Sequence, residues 1–505
     1  MIRWTDLGVR TTLFTIVFLA CFPGNGALAQ TPTPLAGFGD CSVALAPGAV
    51  PIAMAADDFN GDGAADLAVL DQTNKQVVVL LTNPVAFASG NCAGATTTST
   101  VSLSGVPSAI AAGVLDKTGV VDLVVAIPSA SGVSILRNNG SGSFTPDASP
   151  ISTGTDPEAV AIADIDRDGW PDIVVGSGSG QSVTVLYGQS TGVFVLSPSI
   201  SVHSSVAFLL VKDFNNDSFP DIAAGSYNSG LVYVLLQQHS APRTFEPPAS
   251  FGAAGDAPTS MVAGDFNNDG AADLAVTRAG DSTLGVFLND GNGGFPDVPD
   301  ATADTGSGPV AIVADHFNPD VNLDVAVATQ GDSAVTFYRG DDTGAMTKFP
   351  DACGLPGVTL GPCPTSGVPV AMVLGDVDGD RRNDVITANQ DPASITLLLS
   401  SRPAATPTFT ATATPTSTGT ATPTATPTDT PTDTPTPTST PTPTPSRTPP
   451  PTFTFTITPT PGAQCIGAVC VQGQGCSIGR KAETTTAGWW WLPGVMFWLL
   501  RRRPQ

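Results

Sequence analysis

The chain has 505 residues, with 20 Lys plus Arg against 44 Asp plus Glu, for a formal net charge of −24. That balance excludes a nucleic-acid surface, which needs clustered Lys and Arg to displace counterions. Gly (53) and Pro (46) are too frequent for long helices. Three scattered histidines (His203, His239 and His316) give no basis for His-centred metal or general-base chemistry.

The N-terminus carries Arg3 and Arg10, an apolar run over 11–22, and Ala27-Leu28-Ala29 before Gln30. A basic start, a short apolar stretch and a small-residue site predict a secretory signal peptide over 1–29. The run is too short for a membrane helix. A lipoprotein site at Phe18-Leu19-Ala20-Cys21 is the weaker alternative.

From Pro51 to Leu399 the chain repeats itself. The landmark is Asp58-Phe59-Asn60-Gly61-Asp62-Gly63-Ala64-Ala65-Asp66, followed by the apolar run Leu67–Leu70. The matching last aspartates are Asp66, Asp122, Asp172, Asp221, Asp273, Asp324 and Asp384, spaced by 56, 50, 49, 52, 51 and 60 residues. A proline stands seven residues before the loop in six of seven copies: Pro51, Pro107, Pro157, Pro258, Pro309 and Pro369, with Val206 the exception. Two markers in one phase establish a repeat.

Each copy reads as four short strands punctuated by Gly, Asn, Ser and Asp. In the third copy they are Ala159–Ala163, Ile173–Val175, Ser182–Tyr187 and Val193–Ser197. Four strands per copy, seven times over, predict an all-β, seven-bladed β-propeller spanning 30–400. The last copy stops at its third strand, Ser394–Ser400, while Phe38–Leu45 has the composition of a spare fourth. That segment is expected to pair into blade seven and close the ring, removing an exposed edge.

The acidic loops predict metal binding. Loop positions 1, 3, 5 and 9 are Asp58, Asn60, Asp62 and Asp66 in copy one; Asp164, Asp166, Asp168 and Asp172 in copy three; Asp213, Asn215, Asp217 and Asp221 in copy four. They are Asp265, Asn267, Asp269 and Asp273 in copy five, and Asp376, Asp378, Asp380 and Asp384 in copy seven. So many carboxylates within nine residues repel one another unless a cation sits among them. Oxygen-only donors select Ca2+, and the position-7 carbonyls of Ala64, Trp170, Phe219, Ala271 and Arg382 would add a further oxygen. Gly63, Gly169 and Gly270 permit the sharp turn. Position 12 falls within a strand and is never Glu, which excludes an EF-hand.

Copy two offers Val114, Asp116, Thr118 and Asp122, and no metal is expected there. Copy six, with His316, Asn318, Asp320 and Asp324, is left open, and His316 is expected to be a surface loop residue. The seven loops hold 21 of the 44 acidic residues, so the net charge is largely loop charge rather than an acidic binding patch.

With Phe251-Gly252 followed by Gly255-Asp256-Ala257-Pro258, these repeats resemble the FG-GAP/VCBS repeats of integrin-alpha-type N-terminal propellers and of bacterial surface proteins. The resemblance implies metal loops on one face and partner binding on the other, here around Gly154–Pro157, Gly252–Pro258 and Gly306–Pro309.

Residues 401–464 form a Thr/Pro-rich segment expected to be a disordered, extended stalk; its 61-residue core, 401–461, would reach about 190 Å at ~3.1 Å per residue. Residues 465–505 carry Cys465, Cys470 and Cys476, a short apolar stretch over 487–500, and Arg501-Arg502-Arg503. That order resembles Myxo-CTERM sorting tails of bacterial envelopes, with a simple tail anchor as the alternative.

Cys353 with Cys363, and Cys41 with Cys92, are the expected propeller disulfides. The RGD tripeptide in Tyr338-Arg339-Gly340-Asp341 and the glycine run Gly176–Gly180 both read as hairpin sequence. No catalytic or nucleotide-binding constellation survives inspection. The composite expectation is an exported, surface-tethered, calcium-binding adhesion module, monomeric, binding a protein or glycan and touching membrane only through its tail. A polysaccharide-acting enzyme or its carbohydrate-binding propeller, and a structural surface-layer protein without specific ligand, are the alternatives.

Overall fold

The computed structural model describes residues 40–88, 95–252, 257–349 and 362–400. Residues 1–29, 401–464 and 465–505, for which a signal peptide, a stalk and a sorting tail are expected, and Cys92 and Cys353 lie outside the described residues. What is described folds into seven small antiparallel sheets with almost no helix.

The innermost strands are Pro51–Asp57, Ala109–Val114, Pro157–Ala163, Phe208–Lys212, Pro258–Gly264, Pro309–Asp315 and Val368–Gly375. Each touches the next around the ring, and the seventh meets the first. The chain is therefore a closed seven-bladed β-propeller, as the repeat count predicts.

The second strands explain why the sequence reads as apolar runs rather than as alternation. Asp172–Ser177, Asp221–Ser226 and Asp273–Arg278 are buried at every position, because neighbouring blades cover both faces of the sheet. Packing between blades makes the core: Met54, Leu67 and Val69 of blade one join Ile386, Ile395 and Leu397 of blade seven in one cluster. Outer strands show the opposite pattern. Thr96–Ser102 (TTTSTVS) is mostly exposed, and its β-branched threonines suit a solvated pleated edge.

The phased prolines have a structural reason. The strand register shifts immediately after Pro51, Pro157, Pro258, Pro309 and Pro369. Proline has no N–H for the ladder, so it opens the innermost strand at a bulge.

Ring closure follows the expectation. Asp40–Ala44 pairs antiparallel with Ser394–Leu398, placing Cys41 opposite Leu397 and Val43 opposite Ile395. Gln390 Nε2 then donates to the Pro51 carbonyl at 2.7 Å, stitching blade seven to blade one. Cys41 and Cys363 are each disulfide-bonded; their expected partners, Cys92 and Cys353, lie outside the described residues.

Candidate metal centre

Each acidic loop joins the first strand of its blade to the second. In six blades the second strand begins on the last loop aspartate itself: Asp66, Asp172, Asp221, Asp273, Asp324 and Asp384. In copy two it begins one residue earlier, at Val121.

Five loops share one hydrogen-bond scheme. The N–H of position 6 (Gly63, Gly169, Ser218, Gly270, Arg381) donates to the position-1 carboxylate (Asp58, Asp164, Asp213, Asp265, Asp376) at 2.7–3.0 Å. The N–H of position 5 donates to the side chain of position 3 at 2.9–3.1 Å. The position-7 N–H of Ala64, Trp170, Phe219, Ala271 and Arg382 donates to the position-5 carboxylate at 2.8–2.9 Å. This winding needs left-handed backbone twice, at position 4 (Gly61, Arg167, Asn216, Asn268, Gly379) and at position 6. The sequence reading found only the glycines at position 6. Ser218 (φ 74°) and Arg381 (φ 70°) hold the same turn without one.

The last aspartate is the keystone. It is almost completely buried in all seven blades. In every blade it accepts the backbone N–H of the residue sixteen positions later, at 2.7–3.0 Å, from Thr82, Asn138, Gly188, Gln237, Asn289, Gly340 and Ser400. In the five complete loops it also accepts the position-2 N–H, at 2.8–3.0 Å. Three amides at the sixteenth place reach back to the position-2 carbonyl of the preceding blade: Asn138 to Phe59, Gln237 to Ile165 and Asn289 to Phe214, at 2.7–2.8 Å. Those loops are thus linked blade to blade.

Two observations fit a cation. Carboxylate oxygens of Asp164, Asp166 and Asp172, and likewise of Asp376, Asp378 and Asp384, lie within 4.8 Å of one another. The buried Oδ1 atoms of Asp164 and Asp213, both at position 1, have no hydrogen-bond partner, a condition that burial makes costly. An all-oxygen donor set with an orphaned buried carboxylate oxygen suits a hard cation. The same burial pushes the last aspartates up, to about 6 for Asp66 and Asp273, about 7 for Asp172, Asp221 and Asp324, and about 8 for Asp384. Desolvation is the largest cause in each, opposed by backbone N–H donors and raised further by two loop aspartates nearby at Asp66, Asp221, Asp273 and Asp384 and by one at Asp172 and Asp324. A bound cation would reverse that preference.

Copies two and six differ, as their sequences require. In copy two Arg137 Nη1 lies 2.8 Å from Asp122 Oδ2 and 3.7 Å from Asp116 Oδ2. In copy six His316 is exposed and its Nδ1 bonds the position-7 carbonyl of Asn322 at 2.9 Å, while Arg339 Nε lies 3.8 Å from Asp320. The His316 contact shows that the position-1 side chain and the position-7 carbonyl face one another across the loop. In copy three, Arg243 of blade four pairs with Asp166 and Asp168 and stacks over Tyr187, 4.6 Å from its ring centroid. Sequence reasoning missed these arginines, although the repeat alignment contains the signal for Arg137 and Arg339.

The two tempting motifs are structural. Arg339 and Gly340 end a strand, and Asp341 caps the following turn by accepting from Thr343 N and Ala345 N at 2.8 and 3.1 Å. The run Gly176–Gly180 ends the second strand of blade three and turns into the third.

The FG-GAP-like repeat model matches residues 115–175 and 213–276, each match running from one acidic loop through the strand after the next. Among solved structures the chain is similar to BBS1N in its complex with ARL6DN, at 14% identity over 74% of this chain and 97% of that one, with a TM-score of 0.47. It is also similar to a protein from Lactobacillus plantarum, at 14% identity over 69% and 92%, with a TM-score of 0.46. A third is an Agrocybe aegerita lectin described for recognition of non-reducing terminal N-acetylglucosamine, at 17% identity over 64% and 85%, with a TM-score of 0.40. No curated protein matches the chain.

Proposed function

The chain is an FG-GAP-like repeat propeller, and from that premise we propose that it is an exported binding module, stabilised by Ca2+ and held at the cell surface. The observation that carries the metal reading is the repeated loop winding with its orphaned position-1 oxygens on Asp164 and Asp213. Five loops keep every oxygen donor, so the ligand set is positions 1, 3, 5 and 9 with the position-7 carbonyl. Calcium would neutralise carboxylates that burial otherwise drives towards protonation. A rigid disc whose metal loops stiffen one face presents the turns of the other to a protein or glycan partner. The leader, the Thr/Pro stalk and the Cys–apolar–Arg tail support export and tethering.

Metal analysis of the full-length chain after equilibration with Ca2+ tests the first half, with about five ions per chain expected. A chain that retains no ion, and melts at the same temperature with and without EDTA, overturns it. Calcium-dependent retention on glycan arrays or envelope extracts tests the second half. Turnover of a polysaccharide by the purified chain would replace the binding-module reading with an enzymatic one.

A further inference from the structure

The arginines of copies two and six occupy one equivalent place. In all seven blades the residue sixteen after the last aspartate donates its N–H to that aspartate. The residue fifteen after it is therefore always beside the loop. In the five complete blades that residue is Leu81, Tyr187, Leu236, Leu288 or Leu399; in the two incomplete blades it is Arg137 or Arg339. Loop position 1 changes in step. It is Asp in the five, but Val114 in copy two and His316 in copy six. With only 20 Lys and Arg in the chain, a cation at one prescribed place in both incomplete blades, and in none of the others, is not a matter of composition.

The geometry gives the reason. The Arg137 guanidinium holds the buried Asp122 at 2.8 Å and lies 3.7 Å from Asp116, with Asp147 3.6 Å from its Nε. It stands among the carboxylates where a metal would otherwise be required. Leucines at this place do something else. Leu81 packs so closely beneath Gly142 of the next blade, and Leu236 beneath Gly293, that a Cβ on either glycine would collide with the leucine. Arg243 in copy three is not an equivalent. It arrives from blade four, reaches Asp166 and Asp168, and leaves four carboxylates with a single positive partner.

We propose that the residue fifteen positions after the last loop aspartate decides whether a blade takes up a metal cation, Arg137 and Arg339 being resident cations that replace the metal in blades two and six. The proposal rests on the metal reading of the five complete loops. The Arg137 guanidinium keeps the buried Asp122 paired whether or not free Ca2+ is present, and Arg339 sets a positive charge 3.8 Å from Asp320, so these two blades are metal-independent staves in a metal-dependent ring.

The test is a stoichiometry on the full-length chain. Val114→Asp/Thr118→Asp restores the lost loop carboxylates but keeps Arg137, and should bind no ion beyond the wild-type number. Adding Arg137→Leu should bring one further ion per chain. His316→Asp against His316→Asp/Arg339→Leu repeats the comparison in blade six, should the blade-two variants fail to fold. Equal ion gain with and without the arginine overturns the proposal, as does no gain in folded variants that lack it. A wild-type chain with no ions overturns the metal reading beneath it, whereas wild-type ions with the wrong variant pattern overturn this proposal alone.

Discussion

At the residue scale, the last loop aspartate does more than a ligand count implies. Asp221 is fully buried and accepts from Phe214 N at 2.9 Å and Gln237 N at 2.7 Å. Replacing it with alanine strands two buried backbone donors, each worth about 1–3 kcal/mol when left unsatisfied. Asp221→Ala should therefore cost about 2–6 kcal/mol, read from urea unfolding, in calcium-free buffer as well as with calcium. Asp221→Asn keeps a carbonyl acceptor and should cost less. A loss seen only with calcium present would make the residue a ligand and nothing more. Asp122 in blade two has the same bond to the residue sixteen later without a complete metal loop, so the keystone role is separable from the metal.

At the scale of the element, a loop is a short winding that concentrates charge and then buries part of it. In the metal-free protein the last aspartates hold protons up to about pH 6–8, whereas the unfolded chain releases them near the ordinary Asp value. A raised folded-state value means the native state binds more protons than the unfolded state between those limits. Stability should then be greatest below about pH 4 and fall as pH rises towards 8. In EDTA the melting temperature should decline over that range, counting these groups alone. With calcium the sign reverses, because protons compete with the ion for ionised carboxylates. Thermal scans across pH in both buffers check this. Parallel profiles in EDTA and calcium would count against metal occupancy of the loops.

At the scale of the whole molecule, closure by strand Asp40–Ala44 decides whether the ring has an edge. Its partner Ser394–Leu398 would otherwise be the outer strand of a three-stranded blade, an unpaired template for other chains. Deleting residues 40–44 should lower the melting temperature and promote self-association, measured by calorimetry and light scattering. A monodisperse deletion variant melting like the parent would show that the other blades hold the ring unaided.

Much of this was legible in the chain itself, because the repeat imposes its pattern seven times over. The last aspartates and the phased prolines give the blade count, and a missing fourth strand in blade seven points to Phe38–Leu45 as its replacement. The five loops with Asp at position 1 and the two without it are likewise a local fact, and so are the hairpins that RGD and Gly176–Gly180 become. What lay beyond local reading depends on residues brought together across a blade or between blades. The sixteen-residue bond to the last aspartate needs strands two and three side by side. The amides that link Asn138 to Phe59 and Gln237 to Ile165 need adjacent blades. Arg137 and Arg339 are isolated basic residues in the sequence and acquire meaning only when the fold lays them beside a loop. Burial completes the division. Spacing alone specifies where carboxylates crowd, but only the packed ring withdraws their last member from water, and that desolvation is what a proton, an arginine or a metal cation would relieve.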